Sequence, residues 1–330
     1  MIPYVIKKSL NIEKFKKYIS NAQNTNQWSN NGWAVKELES RARELLNVDD
    51  SKAIIATCSG TTALHAMLWG IQRQDGVKRI ATQDFTFASN GIGPAEGPIV
   101  FDLDETLHPH LQDSYLMSSG IAIFTNCFGH LTDINRILST LSNKIIIFDN
   151  AATPASIYKS KNSVNYGTGS YISLHHTKHI GFGEGGLAII DKKYEKAVRI
   201  ACNFGFLDKQ HNERSGNYKM SEVSAAAILQ WWDQFDIQEM KNILLDNYFA
   251  KRYELRNESG IFFPNETDDF LPSCYPFIHS EPTETYDEVK KYYHPLRGMQ
   301  NSKFVYDRIL CYPITEGVEN CFIKSDISSR

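Results

Sequence analysis

The stretch Tyr171-Ile-Ser-Leu-His-His-Thr-Lys-His-Ile-Gly-Phe-Gly-Glu-Gly-Gly186 gathers three hydroxyls, Ser173 among them, three histidines and one lysine ahead of four glycines. Glycine lets a backbone approach a bound group closely, so Lys178 could present its amine to a ligand whose phosphate the Ser173 hydroxyl holds. The ordinary alternative is a solvated surface lysine. Gly181-Phe-Gly-Glu-Gly-Gly186 formally matches the dinucleotide pattern G-x-G-x-x-G, which must follow a strand and open a helix. Here the apolar run Leu187–Ile190 follows and reads as a strand, so NAD is rejected. His175 and His179 are four apart, as in a helical zinc site, but no H-E-x-x-H accompanies them and the surroundings read as strand and turn. With His176 they are expected to line a cleft, and no metal is expected.

Two further positions could do chemistry. Ser59-Gly-Thr-Thr62 opens a helix directly after a short apolar run, where free amides and the helix dipole favour an anion. Plain N-capping by Ser59 is the alternative. Asp149 ends the very apolar run Ile145-Ile-Ile-Phe148, and a carboxylate at the C-terminal end of a buried parallel strand lies where open α/β sheets bind ligands. Such a buried charge needs a partner, and a protonated ring nitrogen would serve. The competing reading is a helix cap.

The elements that must position these groups alternate. β-like runs fall at Lys52–Cys58, Arg79–Phe85, Pro98–Leu103, Gly120–Thr125, Lys144–Asp149, Gly169–Leu174 and Leu187–Ile190. Helical patterns fit at Ala34–Leu46, from Ser59 to Gly70, at Asp133–Leu141, Met220–Phe235 and Ile237 to about Glu254. Apolar strands separated by helices imply an α/β fold whose largely parallel sheet is covered on both faces. Residues 12–31 read as polar and irregular. Beyond Glu254 six prolines punctuate short strands and one helix near Tyr286–Tyr292, which reads as a smaller α+β domain.

With 330 residues, 42% of them hydrophobic, the chain can bury a sizeable core. A net charge of −3 without a basic run excludes strong attraction to nucleic acid or anionic membranes. The six cysteines are scattered, no segment reads as a signal peptide and no run spans a bilayer, so a reduced, cytoplasmic protein is expected.

In this order the pieces resemble the DegT/DnrJ/EryC1/StrS family, pyridoxal-phosphate-dependent sugar aminotransferases of aspartate aminotransferase fold type I. The resemblance covers essentially the whole chain. It is carried by Ser59-Gly-Thr-Thr-Ala-Leu64, Phe85-Thr-Phe87, Phe101-Asp-Leu-Asp104, Phe148-Asp-Asn-Ala-Ala152, Ser173-Leu-His-His-Thr-Lys178 with Gly183-Glu-Gly-Gly186, and Gly216-Asn-Tyr-Lys-Met-Ser221. Lys291-Tyr-Tyr-His-Pro295 and Arg308-Ile-Leu-Cys-Tyr-Pro313 resemble the family's C-terminal domain. The resemblance implies a large cofactor-binding domain, 1–235, with a mostly parallel seven-stranded sheet flanked by helices, and a small α+β domain, 236–330.

It further implies that Lys178 is the Schiff-base lysine for pyridoxal 5′-phosphate and Asp149 the partner of the ring nitrogen. Phe87 would stack on the ring, and Gly60, Thr61, Thr62 and Ser173 would hold the phosphate. Asn217 would reach the phosphate of a neighbouring subunit, which makes a homodimer with shared active sites. Glutamate would donate the amino group, the cofactor cycling through pyridoxamine phosphate, and a nucleotide-linked keto-deoxysugar would accept it, at C4 rather than C3. The product would be an amino sugar for surface polysaccharide such as lipopolysaccharide O-antigen.

The sequence departs from the family pattern at Ala152, where a Gln or His commonly faces the ring oxygen, and at Lys219, where an Arg is frequent; His176 and Lys219 are expected near substrate. The C-terminal domain is also short. The rival readings are a dehydratase of the same family, in which histidine replaces the lysine, and a cofactor-binding regulatory protein without turnover.

Overall fold

The computed structural model describes residues 2–206 and 213–322. Twelve strands are present among them: β1 Lys52–Thr57, β2 Ile80–Gln83, β3 Ile99–Phe101, β4 Ile121–Thr125, β5 Ile145–Asp149, β6 Ile157–Tyr158, β7 Lys161–Asn162, β8 Gly169–Ser173, β9 Gly186–Asp191, β10 Gly260–Phe262, β11 Tyr275–His279 and β12 Ile309–Tyr312. Seven form the main sheet in the order β1-β9-β8-β5-β4-β2-β3. Strands β8, β5, β4, β2 and β3 run parallel, whereas β9 is antiparallel to both of its neighbours. All seven are the runs that the apolar patterning marks.

Alternate residues of these strands point to opposite faces, and each face has its own helices. Ile55, Ile123, Ile147, Tyr171 and Ala188 pack with Leu64, Met67, Leu68 and Ile71 of the helix Gly60–Asp75. On the other side Ile54, Ile172, Leu187 and Ile189 meet Val35 and Leu38 of the helix Trp33–Leu45 and Ile228 and Leu229 of the helix Glu222–Trp232. Phe124, Ile146 and Phe148 meet Ile134 and Ile137 of the helix Ile134–Thr140 on that same face. Each fully buried Leu, Ile, Val, Met or Phe among these contributes about 1.5–3 kcal/mol, so the strand ends that carry the site are rigidly held.

The edge strand β1 is buried along its whole length, and three of its outward backbone groups are occupied by charged side chains. Ala56 donates its N–H to Glu39 Oε1 (2.9 Å), Arg199 donates to the Ile54 carbonyl (3.2 Å) and Arg43 to the Lys52 carbonyl (2.8 Å).

The 18-residue helix Ile237–Glu254 leads into the three-stranded antiparallel sheet β10-β11-β12. The N-terminal segment returns to this part of the molecule, where Tyr4 packs beside Phe263, Cys274 and Cys311.

Two expectations fail. Residues 12–31 are not irregular: Ile12–Thr25 is a helix capped by the Asn11 side chain. Its apolar stripe is narrow, with only Tyr18 and Ala22 buried and Phe15 and Ile19 partly so, and the Lys and Asn residues between them hid the period. The segment Tyr286–Tyr292 is not helical; Asp287 adopts a left-handed φ of 47° and Lys290 pairs with Cys311 beside β12, both incompatible with a continuous helix. The helix of this region is Gln300–Arg308. No helix among the described residues is long and apolar enough to cross a membrane.

Candidate active site

The C-terminal ends of β1, β5 and β8 meet at one cavity of about 480 Å³. Its lining includes Ser59, Gly60, Thr61, Phe87, Asp149, Ala152, Ser173 and Lys178, which brings together most of the residues singled out in the sequence.

At the end of β1, Ser59 caps the helix Gly60–Asp75 in a reciprocal box: Thr62 donates its N–H to Ser59 Oγ (3.2 Å) and Ser59 its N–H to Thr62 Oγ1 (3.0 Å). Both the capping and the anion-site readings of this motif therefore have a physical basis. The Thr62 hydroxyl serves the cap and lies outside the cavity lining. The amides of Gly60 and Thr61 have no acceptor among the described residues, and they stand at the positive end of a 16-residue helix. Ser173, at the end of β8, faces them. Gly186 makes this approach possible, because a Cβ there would sit 2.2 Å from the Ser59 carbonyl oxygen.

Asp149 ends β5, 3% exposed. Its carboxylate accepts from Ala151 N–H (3.0 Å), Asn90 Nδ2 (3.3 Å) and the Thr125 hydroxyl (3.4 Å). Tyr171 donates to Asn90 Oδ1 (2.6 Å) and Asn90 in turn donates to Thr86 Oγ1 (2.7 Å), so the donors around the carboxylate are themselves fixed. Burial pushes the Asp149 pKa up, against these hydrogen bonds and the charge of Lys178. The carboxylate is in contact with neutral donors only and forms no salt bridge among the described residues.

Lys178 sits in the turn between β8 and β9. The amide of Lys178 donates to the His175 carbonyl and that of Gly181 to the Lys178 carbonyl (both 2.9 Å), which closes the turn tightly. A Cβ at Gly181 would lie 2.2 Å from the His175 oxygen. Among the described residues the Lys178 amine makes no hydrogen bond or ion pair. Burial lowers its pKa, opposed by the charges of Asp149 and Cys274. The next element is the strand β9 rather than a helix, as the rejection of the dinucleotide motif requires.

The remaining expected residues are more dispersed. Phe87 is on the rim, 57% exposed, its ring free to cover a ligand. His175 lines the cavity with Nε2 3.4 Å from Glu184, and His179 Nε2 is 3.0 Å from the Pro272 carbonyl. His176 is exposed and outside the lining. Asn217, paired with Asn203, and Lys219, which donates to Asn203 Oδ1 (2.7 Å), are also outside it. Sequence reasoning missed Ser89 and Tyr171 in the lining, Asn90 behind them, and Tyr4, Lys290, Tyr292 and Tyr293 on the far wall. The far wall joins Tyr4 to the segment Lys290–Tyr293, and no local spacing relates two stretches so far apart in sequence.

An unpaired amine, a buried carboxylate lacking a cation and a helix N-terminus with free amides fit a group carrying a carbonyl, a protonated ring nitrogen and a phosphate. With the sheet order, this defines a fold-type-I pyridoxal-phosphate enzyme. The chain belongs to the DegT/DnrJ/EryC1/StrS aminotransferase family, whose model matches residues 10–312. It is 27% identical to dTDP-4-amino-4,6-dideoxy-D-glucose transaminase of Shigella dysenteriae across 96% of this chain and 95% of that one. GDP-perosamine synthase of Escherichia coli O157:H7 is 26% identical over 68% of this chain and 64% of its own. Among solved structures, the sugar aminotransferase CalS13 from Micromonospora echinospora superposes with a TM-score of 0.76 at 17% identity, covering 97% of both chains.

Proposed function

We propose that the protein transfers an amino group from an amino acid, glutamate, to a nucleotide-linked keto-deoxysugar, with C4 as the carbon aminated. The observation that carries this reading is the shared cavity of Lys178, Asp149 and the Ser59–Thr61 helix start, three groups of different charge suited to three parts of one cofactor. Pyridoxal phosphate, when bound, supplies the electron sink that lets nitrogen pass between donor and acceptor.

The chain's own residues divide the remaining work. The Gly60 and Thr61 amides and the Ser173 hydroxyl bind the phosphate. Asp149 keeps the ring nitrogen protonated, since an adjacent carboxylate favours the charged form. Phe87 covers the ring face. The Lys178 amine, with its pKa lowered by burial, is neutral at lower pH than an ordinary lysine, so Nζ can take a proton from the donor's α-carbon and return it. Ala152 lines the cavity without a polar group, so it leaves the ring oxygen to other donors.

The 95% coverage of the Shigella transaminase supports a nucleotide-sugar acceptor, and Tyr4, Lys290 and Tyr292 offer aromatic and cationic wall for it. Asn217 and Lys219, outside their own chain's cavity, accord with a homodimer in which each site borrows from its partner. Lys178 disfavours the dehydratase reading, since that branch carries histidine in its place. We place the enzyme in the cytoplasm, where nucleotide sugars are substrates.

The purified protein is expected to be yellow, and borohydride to fix the cofactor on Lys178, located by peptide mapping. Glutamate should bleach that colour, and a panel of dTDP-, UDP- and GDP-linked keto sugars should restore it with formation of an amino sugar. A Lys178→Ala protein that still traps cofactor would overturn the assignment. Cofactor fixed on Lys178 without a glutamate reaction would identify a binding protein without turnover.

A further inference from the structure

Lys8 lies in the N-terminal segment, about 170 residues away in sequence from the turn that carries Lys178. Its Nζ nevertheless donates to three carbonyls of that turn, those of His176 (2.7 Å), Lys178 (2.5 Å) and Gly181 (2.6 Å). Three acceptors match the three donors of an ammonium group, whereas a neutral amine has only two; burial pulls the Lys8 pKa down to about 7, so this three-donor form is the one that prevails below that pH. The same Nζ stands 5.3 Å above the Trp231 ring, a cation-π contact.

The carbonyls that Lys8 leaves are taken by the helix below: Trp231 Nε1 donates to the His179 oxygen (3.0 Å) and Trp232 Nε1 to the Ile180 oxygen (2.7 Å). Five of the six carbonyls from 176 to 181 are thus held from one side, and the Lys178 side chain projects into the cavity on the other. Lys8 is itself placed from that helix and the turn that follows it. Gln230 Oε1 accepts from the Asn11 amide (2.9 Å), Gln234 Nε2 donates to the Ser9 carbonyl (3.3 Å) and Lys14 donates to the Asp233 carbonyl (2.5 Å). No carboxylate pairs with Lys8 among the described residues. The titratable rings facing it are His175 and His179, whose pKa values it helps to lower behind the larger effect of burial. An ammonium buried without a counter-ion, and spent wholly on backbone oxygens, adds little that an apolar side chain over Trp231 could not give to stability. What it does fix is the position of the turn.

We propose that Lys8 is a positioning residue for Lys178: its ammonium gathers the carbonyls of His176, Lys178 and Gly181 and so fixes the turn that aims the Lys178 amine at the cofactor. This rests on the assignment of Lys178 as the residue that carries cofactor.

The test compares wild type with Lys8→Met and Lys8→Arg in the full chain, by two readouts. In cofactor-free protein, amide hydrogen exchange at Lys178, Gly181 and Phe182 should quicken about tenfold in Lys8→Met, the scale of losing a charge-assisted hydrogen bond, while amides of β9 keep their rates. In protein loaded with pyridoxal phosphate, fixation by borohydride on Lys178 should slow about tenfold, with cofactor affinity changed by less than about threefold because the phosphate cup and Asp149 are untouched. Lys8→Arg, which keeps the charge, should lie between. Exchange in Lys8→Met equal to wild type would overturn the proposal. So would a uniform rise that includes β9, which would make Lys8 a general stabiliser. If wild type fixes no cofactor on Lys178, the functional reading fails instead, and the exchange data still decide whether Lys8 holds the turn.

Discussion

Replacing Asp149 by Asn removes one charge and almost no volume. The carbonyl of the introduced amide can keep the Ala151 N–H, but its NH₂ would then face the Asn90 Nδ2 and the Thr125 hydroxyl, both donors to the carboxylate in the native chain. The hydroxyl can rotate to accept, so one donor–donor mismatch remains, at a cost of about 1–3 kcal/mol. Against this stands the relief of a buried, unpaired carboxylate. Its pKa is raised on folding, so the stability it contributes is complete below the unfolded value and is lost as pH rises through the folded one. The variant escapes that loss at neutral pH. The two effects oppose each other, and the urea midpoint of the cofactor-free protein should move little.

The loaded protein behaves differently, because breaking a buried charge pair by removing one partner costs about 3–5 kcal/mol. At about 1.4 kcal/mol per decade, the glutamate reaction, followed by loss of absorbance under single-turnover conditions, should slow by roughly two to three and a half decades. Urea titrations of the cofactor-free variant at pH 5 and pH 8 should differ less than those of wild type. An Asp149→Asn enzyme within about threefold of wild type in the glutamate reaction would refute the assignment of Asp149 to the ring nitrogen, whatever its stability.

Gly186→Ala would drive a methyl into the Ser59 carbonyl at 2.2 Å, contact with backbone that cannot swing aside, so unfolding by urea should be easier by about 1–3 kcal/mol and cofactor phosphate held less tightly. Phe87→Ala loses a ring that is already 57% exposed, so the thermal midpoint of the free protein should hold, whereas cofactor affinity measured by fluorescence quenching should fall about two- to tenfold, the worth of one stacked aromatic pair. An unchanged affinity would take Phe87 out of the cofactor site.

The parts of this molecule that were legible in its sequence are those where one local rule acts alone. Each strand of the main sheet is a short apolar run between turns, and Ser59, Asp149 and Ser173 lie at strand ends, so topology alone brings them together. The helix Ile12–Thr25 was hidden because tertiary contact with Glu222–Trp232, rather than a broad apolar face, sustains it. The far wall of the cavity was hidden for a different reason: Tyr4 and Tyr292 meet through packing between two stretches far apart in sequence, which no local period records. Thr62 shows the limit of motif reading at atomic detail. Its hydroxyl is of the right type and in the right motif, and the capping box claims it.

The charged side chains along the outer edge of β1 limit how copies of this chain can join. An exposed strand edge is a template for further strands and for aggregation. Here Glu39, Arg43 and Arg199 already occupy three of the outward amide and carbonyl groups that a second chain would need, those of Ala56, Lys52 and Ile54. Two protomers therefore meet an already occupied ladder at this edge, and extending the main sheet across β1 into a continuous one would first have to break those side-chain contacts.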